Sequence, residues 1–212
     1  MHHILIIIIS LCASALYFLL IKKIGALIEE KKQVSMYALS ATTLTCIYIL
    51  YTAFGFSESF FFAATVTLLL IPIFLTDALF YLIPDAITIP AITIIFTYQI
   101  FRGSDLTDLG LAALIAGGFF LLQYLASSGR WIGSGDIRIG ILMGLALGVR
   151  GTLIALFLAY IGGAIIALIL ISLKRKDLSS KIQFGTLLTS ATYFSLLYGQ
   201  QLSRFYLNLL KY

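Results

Sequence analysis

The residues of this sequence that could do chemistry are aspartates beside apolar segments. Asp77 and Asp85 lie in the stretch TDALFYLIPDAITIP. Asp136 follows Gly133 and Gly135 in the stretch WIGSGDIRIG. An acid inside a bilayer costs about 2.5–3.5 kcal/mol on insertion scales, so it is a candidate functional group. Two carboxylates held close together share a proton, so that one takes a proton from water while the other polarises a carbonyl. Asp77 and Asp136 are therefore candidates for a hydrolytic pair.

The remaining polar residues offer no second catalytic set. His2 and His3 are terminal and have no third ligand nearby, and Cys12 and Cys46 fall inside apolar segments without CxxC spacing. We therefore expect no metal and no cofactor, and we interpret both cysteines as small buried side chains. The other acids fall between apolar runs, and we interpret them as solvated loop charges: Glu29, Glu30, Glu58, Asp105, Asp108 and Asp177.

The residues around the aspartates have local explanations as well as functional ones. Gly133 and Gly135 permit a tight turn and the close approach of a substrate backbone. Asp136 follows them near a helix start, where the helix dipole favours a carboxylate, but the same pattern fits a capping aspartate. Asp85 either caps the next helix or contacts a substrate. Arg138 either anchors its helix at the membrane interface or acts on substrate or Asp136.

The composition sets the fold class. The chain has 212 residues, of which 61% are hydrophobic and 11% charged, whereas soluble domains are near 45–50% and 25%. The apolar runs are continuous, which excludes a transmembrane β-barrel. The first run lacks the basic flank of a signal peptide, so we expect a retained helix. We predict an all-α membrane helical bundle forming one domain over residues 1–212. Its eight spans lie near residues 3–21, 36–55, 59–76, 87–101, 109–127, 137–149, 151–173 and 186–207.

The basic residues predict the orientation of this bundle. Ten of the 14 lie in three alternating loops: Lys22, Lys23, Lys31, Lys32, Arg130, Arg138, Lys174, Arg175, Lys176 and Lys181. The positive-inside rule places these loops in the cytoplasm and both termini outside. The net charge of +5 therefore reflects membrane topology rather than nucleic-acid binding. In this topology Asp77 and Asp136 both lie at the cytoplasmic face.

Two stretches resemble the signatures of type IV prepilin peptidases, a family of GxGD-type aspartyl membrane peptidases. TDALFYLIPDAITIP is similar to the first signature, an aspartate followed by Ile-Pro-Asp and a Thr-x-Pro ending. GSGDIRIGILMGLALG is similar to the second, Gly-x-Gly-Asp followed by a basic residue and two spaced glycines. IQFGTLL at 182–188 is a weaker third match. The resemblance covers about residues 60–200.

The resemblance implies an aspartyl endopeptidase of the cytoplasmic membrane that removes the short basic leader of prepilins or pseudopilins. It implies that Asp77 and Asp136 are the catalytic pair. Asp85, Gly133, Gly135 and Arg138 would support the site. The expected partners are a prepilin or pseudopilin substrate and the lipid bilayer, with no nucleic acid.

The sequence departs from the family pattern in one large respect. Full-length bacterial members carry a cysteine-rich CxxC domain between the first two spans and also methylate the new N-terminus. Here the corresponding stretch, KKIGALIEEKKQVS, contains no cysteine. We therefore expect a short form without zinc and without the methyltransferase activity.

Three alternatives stay open beside the prepilin peptidase. An archaeal preflagellin peptidase has the same chemistry. A presenilin-like protease fits less well, since Thr76 stands where that family has tyrosine and no Pro-Ala-Leu motif occurs. A small cation-coupled transporter belongs to another class, but an inverted repeat and midplane acids are not apparent.

Overall fold

The computed structural model describes residues 2–27, 35–173 and 183–209. These residues form helices and no strand: α1 (His2–Leu27), α2 (Met36–Phe54), α3 (Glu58–Phe80), α4 (Asp85–Phe101), α5 (Leu106–Ser127), α6 (Ser134–Ser172) and α7 (Phe184–Leu209). Helices α1, α2, α3, α5 and α6 are each long and apolar enough to cross a membrane, and α4 is a shorter apolar helix. The prediction of an all-α membrane protein is confirmed for this part of the chain.

The chain divides into two compact units, Met1–Leu82 and Ile83–Tyr212. The first contains α1 to α3 and the second contains α4 to α7. The single peptidase domain, the number of membrane crossings and the side of each terminus stay predictions. The basic and acidic residues of 28–34 and 174–182 lie outside the described residues.

Helix α1 differs from the sequence-based expectation in where it ends and in the exposure of one side chain. Lys22 and Lys23 were expected in a loop, but α1 continues through them to Leu27. Cys12, expected to be buried, is exposed on the surface of α1. A membrane helix of this kind presents such a surface to lipid rather than to water, so a small apolar thiol is tolerated there.

In the first unit, a tyrosine side chain donates to a helix carbonyl that lacks its usual backbone donor. Pro72 lies inside α3 and has no N–H to donate to the carbonyl of Leu68 one turn earlier. The hydroxyl of Tyr17 on α1 donates to that carbonyl at 2.6 Å, and Tyr17 is 4% exposed. In an apolar environment an unsatisfied carbonyl is costly, so this bond fixes α1 on α3.

In the second unit, α5 and α6 approach closely because small residues face each other. A Cβ atom added to Gly144 would lie 2.6 Å from the carbonyl carbon of Ala112, and one added to Gly140 would lie 3.1 Å from that of Ala116. Glycines four residues apart on a membrane helix allow this backbone contact. In lipid, the van der Waals attraction across such a contact, rather than the hydrophobic effect, holds the helices together. Of the two spaced glycines of the second signature, Gly144 and Gly148, the first therefore serves the packing of α6 on α5.

The two spans expected at 137–149 and 151–173 form a single run, α6, with a break at Gly148. A straight helix of 39 residues would be about 58 Å long, nearly twice the thickness of a bilayer core. Gly148 leaves helical geometry with φ 66° and ψ −179°, a conformation that only glycine adopts without strain. The sequence-based break is therefore displaced by two residues, and no loop separates the two segments.

Side chains of α4 and α5 complete the backbone bonding at this break. In a regular helix the N–H of Val149 would donate to the carbonyl of Leu145. Here Gln99 Nε2 donates to Leu145 O at 2.8 Å, and Val149 N donates to Asp108 Oδ2 at 3.2 Å. Asp108 was expected to be a solvated loop charge, and this expectation was wrong. It lies in the first turn of α5 and binds the broken helix.

Candidate active site

Asp136 lies in the first turn of α6, and its side chain is fixed by the glycine loop before it. Gly133 is the N-cap residue, its N–H donates to Asp136 Oδ2 at 3.1 Å, and its carbonyl accepts from Asp136 N at 3.2 Å. Asp136 is 5% exposed. Asp136 is therefore not the N-cap residue, but its carboxylate takes part in capping from the third helical position. The same bond holds the carboxylate in one orientation at the positive end of the helix dipole.

Gly135 allows the loop before α4 to lie against the start of α6. A Cβ atom at Gly135 would be 2.6 Å from Ile83 Cβ and 2.9 Å from its Cδ1. At Gly133 the nearest atom to such a Cβ is Asp136 Oδ2 at 3.6 Å, which is an ordinary contact distance. The two glycines of the signature thus have different physical reasons, and Gly135 is the one that a close approach requires.

Asp85 and Arg138 form an ion pair within the second unit. Asp85 is the first residue of α4, whose N-cap is Pro84, so of the two alternatives the structure does not show Asp85 as the cap. Its contact with substrate stays a prediction. The side chain of Arg138 is 25% exposed and that of Asp85 is 61% exposed. The guanidinium is directed to Asp85 rather than serving only as an interface anchor. At this exposure the pair contributes little stability.

Asp77 lies in the last turn of α3, in the first unit, and is 5% exposed. The helix ends just beyond it, where Tyr81 takes a left-handed conformation with φ 53° and its N–H donates to Asp77 O at 2.9 Å. Thr76 before it is fully buried and donates its hydroxyl to Pro72 O at 3.0 Å. The structure thus holds Asp77 at a buried helix end. Its pairing with Asp136, which belongs to the second unit, stays a prediction.

The structure describes residues 183–188 of the weak third match, and Ile182 lies outside the described residues. The described part of this match packs against other helices. Phe184, at the start of α7, packs edge-on against Phe120 of α5 and Tyr160 of α6, with ring centroids 5.9 and 5.1 Å apart. Thr186 donates its hydroxyl to Gln183 O at 2.6 Å. The phenylalanine of this motif therefore joins three helices of the second unit.

No cluster of three His, Cys, Asp or Glu side chains occurs among the described residues in a position to hold a metal ion.

Half of the chain matches a known protein family in sequence. Residues 63–168 match the model of the type IV leader peptidase family. The chain belongs to this family. The match contains all six candidate site residues and crosses the boundary between the two units.

Two curated relatives carry the same family name. The chain is 28% identical over 156 residues to a prepilin leader peptidase/N-methyltransferase of Bacillus subtilis, and the aligned part covers 74% of the chain and 63% of the relative. It is 30% identical over 172 residues to the corresponding protein of Legionella pneumophila, covering 78% of the chain and 60% of the relative. The chain thus matches less than two thirds of these relatives. No solved structure matches it significantly.

Sequence reasoning missed Ile83, Gln99 and Asp108 as residues that shape the second unit. Ile83 is part of the Ile-Pro-Asp signature, so its motif position was a usable signal. Gln99 is a buried amide in an apolar helix, and an amide in such a position needs hydrogen-bond partners. The sequence around Asp108 does not indicate its role, because Asp105 already serves as the N-cap of α5.

Proposed function

We propose that this protein is a type IV prepilin leader peptidase that cuts the short basic leader from prepilins or pseudopilins. The observation that carries the proposal is that Asp77 and Asp136 both lie inside the family match and are both 5% exposed at the end of an apolar helix. Burying a carboxylate in an apolar membrane helix costs free energy, and ionisable residues in such positions usually have a function.

In the proposed reaction the two carboxyl groups share one proton. The ionised member takes a proton from a water molecule, whose oxygen attacks the scissile carbonyl carbon, while the protonated member donates a hydrogen bond to the carbonyl oxygen. The tetrahedral intermediate then collapses. Its C–N bond breaks, and the leaving nitrogen receives the proton that was taken from water. No covalent enzyme intermediate and no metal takes part.

The remaining site residues support this reaction without touching the reacting atoms. Gly133 N–H holds Asp136 Oδ2, which fixes the direction of its lone pairs. Gly135 lets Ile83 approach, and the pair of Asp85 with Arg138 connects the start of α4 to the start of α6. A reacting group must be held within a fraction of an ångström, so each of these contacts contributes to rate rather than to folding.

We further propose that cleavage takes place at the cytoplasmic face of the cell membrane. The proposal rests on the charge of the loops and on the basic character of the leader, which the membrane potential and the positive-inside rule keep in the cytoplasm. Trp131→Cys, made in a chain that also carries Cys12→Ala and Cys46→Ala, tests the side, because Trp131 is 73% exposed beside the second signature. Labelling by a membrane-impermeant maleimide in inside-out vesicles, but not in intact cells, is expected, and the reverse pattern would exclude this orientation.

The reaction itself is tested with purified protein in detergent and a prepilin peptide that includes the leader and the first part of the hydrophobic helix. N-terminal sequencing is expected to find a product that begins directly after the glycine preceding that helix. A chelator is expected to leave the rate unchanged. If several leaders stay intact while the protein is folded, the peptidase assignment fails, and proton or cation transport into proteoliposomes becomes the reaction to measure.

A further inference from the structure

A polar cleft lies between the residues on both sides of the break in α6 and the middle and C-terminal part of α7. Its volume is about 520 Å³, within the range of ligand sites. Its polar and charged lining residues are Arg150, Ser195, Gln200, Ser203 and Arg204. The cleft is separate from the candidate active site, since none of the six residues assigned there lines it.

The cleft forms because its floor consists of small residues. Ser195 donates its hydroxyl to Gly151 O at 2.8 Å. A Cβ atom added to Gly199 would lie 3.0 Å from the same hydroxyl oxygen. Gly151 lets the hydroxyl of Ser195 reach the backbone of α6. Gly199 lies one turn after Ser195 on α7 and leaves the space beside that hydroxyl empty of a side chain.

Both arginines of the cleft stand at the same end of the helix pair. Gly151 of α6 contacts Ser195 of α7, and further along, Gly163 approaches Leu187. These contacts run in opposite directions along the two sequences, so the helices are antiparallel. Arg150 near the break in α6 and Arg204 near the end of α7 therefore meet at one rim. Within the described part of the chain, no ion pair joins either arginine to a carboxylate.

We propose that this cleft binds the phosphate group of an anionic phospholipid. Two guanidinium groups and the neighbouring hydroxyl and amide groups match the charge and the acceptor oxygens of a phosphodiester. A lipid rather than a free anion fits because large apolar side chains within three residues of Arg150 or Arg204 in sequence are exposed, namely Leu153 at 52%, Leu202 at 41% and Phe205 at 64%. Basic pockets between membrane helices are a recognised type of lipid headgroup site.

The predicted topology adds a reason to look for a ligand here. The positive-inside rule assigns Arg150 and Arg204 to the external side, where basic residues are scarce. Two of the four basic residues on that side line one cleft. The bound lipid would then come from the outer leaflet, beside the break in α6, which the first segment of that helix separates from Asp136.

Native mass spectrometry of the full chain in detergent tests the proposal with three added probes, phosphatidylglycerol, phosphatidylcholine and inorganic phosphate. The wild type is expected to bind one phosphatidylglycerol and to prefer it over phosphatidylcholine. Arg150→Gln and Arg204→Gln are each expected to weaken this binding about tenfold, the loss of one charge-assisted interaction. Arg102→Gln removes another arginine of the same predicted side that does not line the cleft, and is expected to change nothing.

Each other result overturns the proposal. Equal weakening by Arg102→Gln would mean general attraction of acidic lipid. Displacement of the lipid by millimolar inorganic phosphate would assign the cleft to a free anion. Unchanged binding in both cleft variants would place the lipid elsewhere. Where a glutamine variant elutes as aggregate, Arg150→Lys and Arg204→Lys replace it, because lysine keeps the charge and loses the two-pronged contact.

Discussion

The carboxylate of Asp85, at the first turn of α4, is paired with the guanidinium of Arg138 near the start of α6. Two residues before Asp85, Ile83 lies against Gly135. The Ile-Pro-Asp part of the first signature and the Gly-x-Gly-Asp signature thus meet within the second unit through one polar and one apolar contact. Residues more than 50 positions apart in sequence are held together at the helix start that carries Asp136.

The ion pair is expected to matter for rate and little for stability. Asp85→Ala and Arg138→Ala should each lower kcat/KM for peptide cleavage about tenfold or more, while the midpoint of thermal unfolding moves by only a few degrees, since exposed pairs contribute about 0–1 kcal/mol. The exchanged double variant, Asp85→Arg with Arg138→Asp, should recover part of the lost rate. An exchanged variant no faster than the single ones would contradict a positional role, and Arg138→Lys, which keeps the charge, should stay close to wild type.

The two glycines of the second signature are expected to respond differently to alanine. Gly135→Ala places a methyl group 2.6 Å from Ile83 Cβ, so the loop before α4 or the start of α6 has to move, and cleavage should fall at least about tenfold. Gly133→Ala meets only an ordinary contact, at a φ of −79° that alanine adopts freely. Its rate should stay within about threefold of wild type. Equal losses for the two variants would rule out the contact with Ile83 as the reason for Gly135.

The packing of α5 on α6 gives a prediction for stability. Gly144→Ala would place a methyl group within 2.6 Å of the Ala112 carbonyl carbon, and overpacking of this kind costs about 1–3 kcal/mol. Thermal unfolding in detergent, followed by circular dichroism, should shift down by several degrees. Gly118→Ala on α5 has open space around it and is the matched control. A shift of the same size in both variants would show that glycine flexibility, rather than helix contact, determines the effect.

The break at Gly148 is expected to depend on the two side chains that bond its free backbone groups. Asp108→Ala removes the acceptor of Val149 N and should lower the free energy of unfolding by about 1–2 kcal/mol. Asp108→Asn keeps an acceptor oxygen and should cost less. Gln99→Leu leaves the carbonyl of Leu145 without its donor, at a cost of about 1–3 kcal/mol. If Asp108→Asn lowered the free energy of unfolding as much as Asp108→Ala, the charge of Asp108 rather than its hydrogen bond would be what α6 requires.

The spacing and length of the apolar runs were enough to predict most of the helices. The start and end of α2 were predicted to within one residue and those of α4 and α5 to within three, because each is bounded by Gly, Pro, Ser or Asp residues that end helices. The position of Asp136 at a helix start followed from the two glycines before it. Asp77 was expected at the end of a helix, and it lies one turn before the last residue of α3.

Other features depend on contacts between distant residues. Ion pairing of Asp85 with Arg138 requires α4 and α6 to be neighbours, which no local pattern encodes. The break in α6 at Gly148 was seen as a boundary between spans, but its repair by Gln99 and Asp108 depends on where α4 and α5 pack. Likewise, a proline inside α3 signals a missing hydrogen bond, but not that Tyr17 supplies it.

The central claim is that Asp77 and Asp136 act together in peptide hydrolysis. The most direct measurement is the initial rate of prepilin peptide cleavage by Asp77→Asn and Asp136→Asn in detergent, with Asp105→Asn as control, since Asp105 caps α5 outside the site. Asparagine keeps the shape of the side chain and removes the exchangeable carboxyl proton. Both site variants are expected to show no cleavage above background while eluting and melting like the wild type, and Asp105→Asn is expected to stay active. Retained cleavage by either site variant would contradict the aspartate pair.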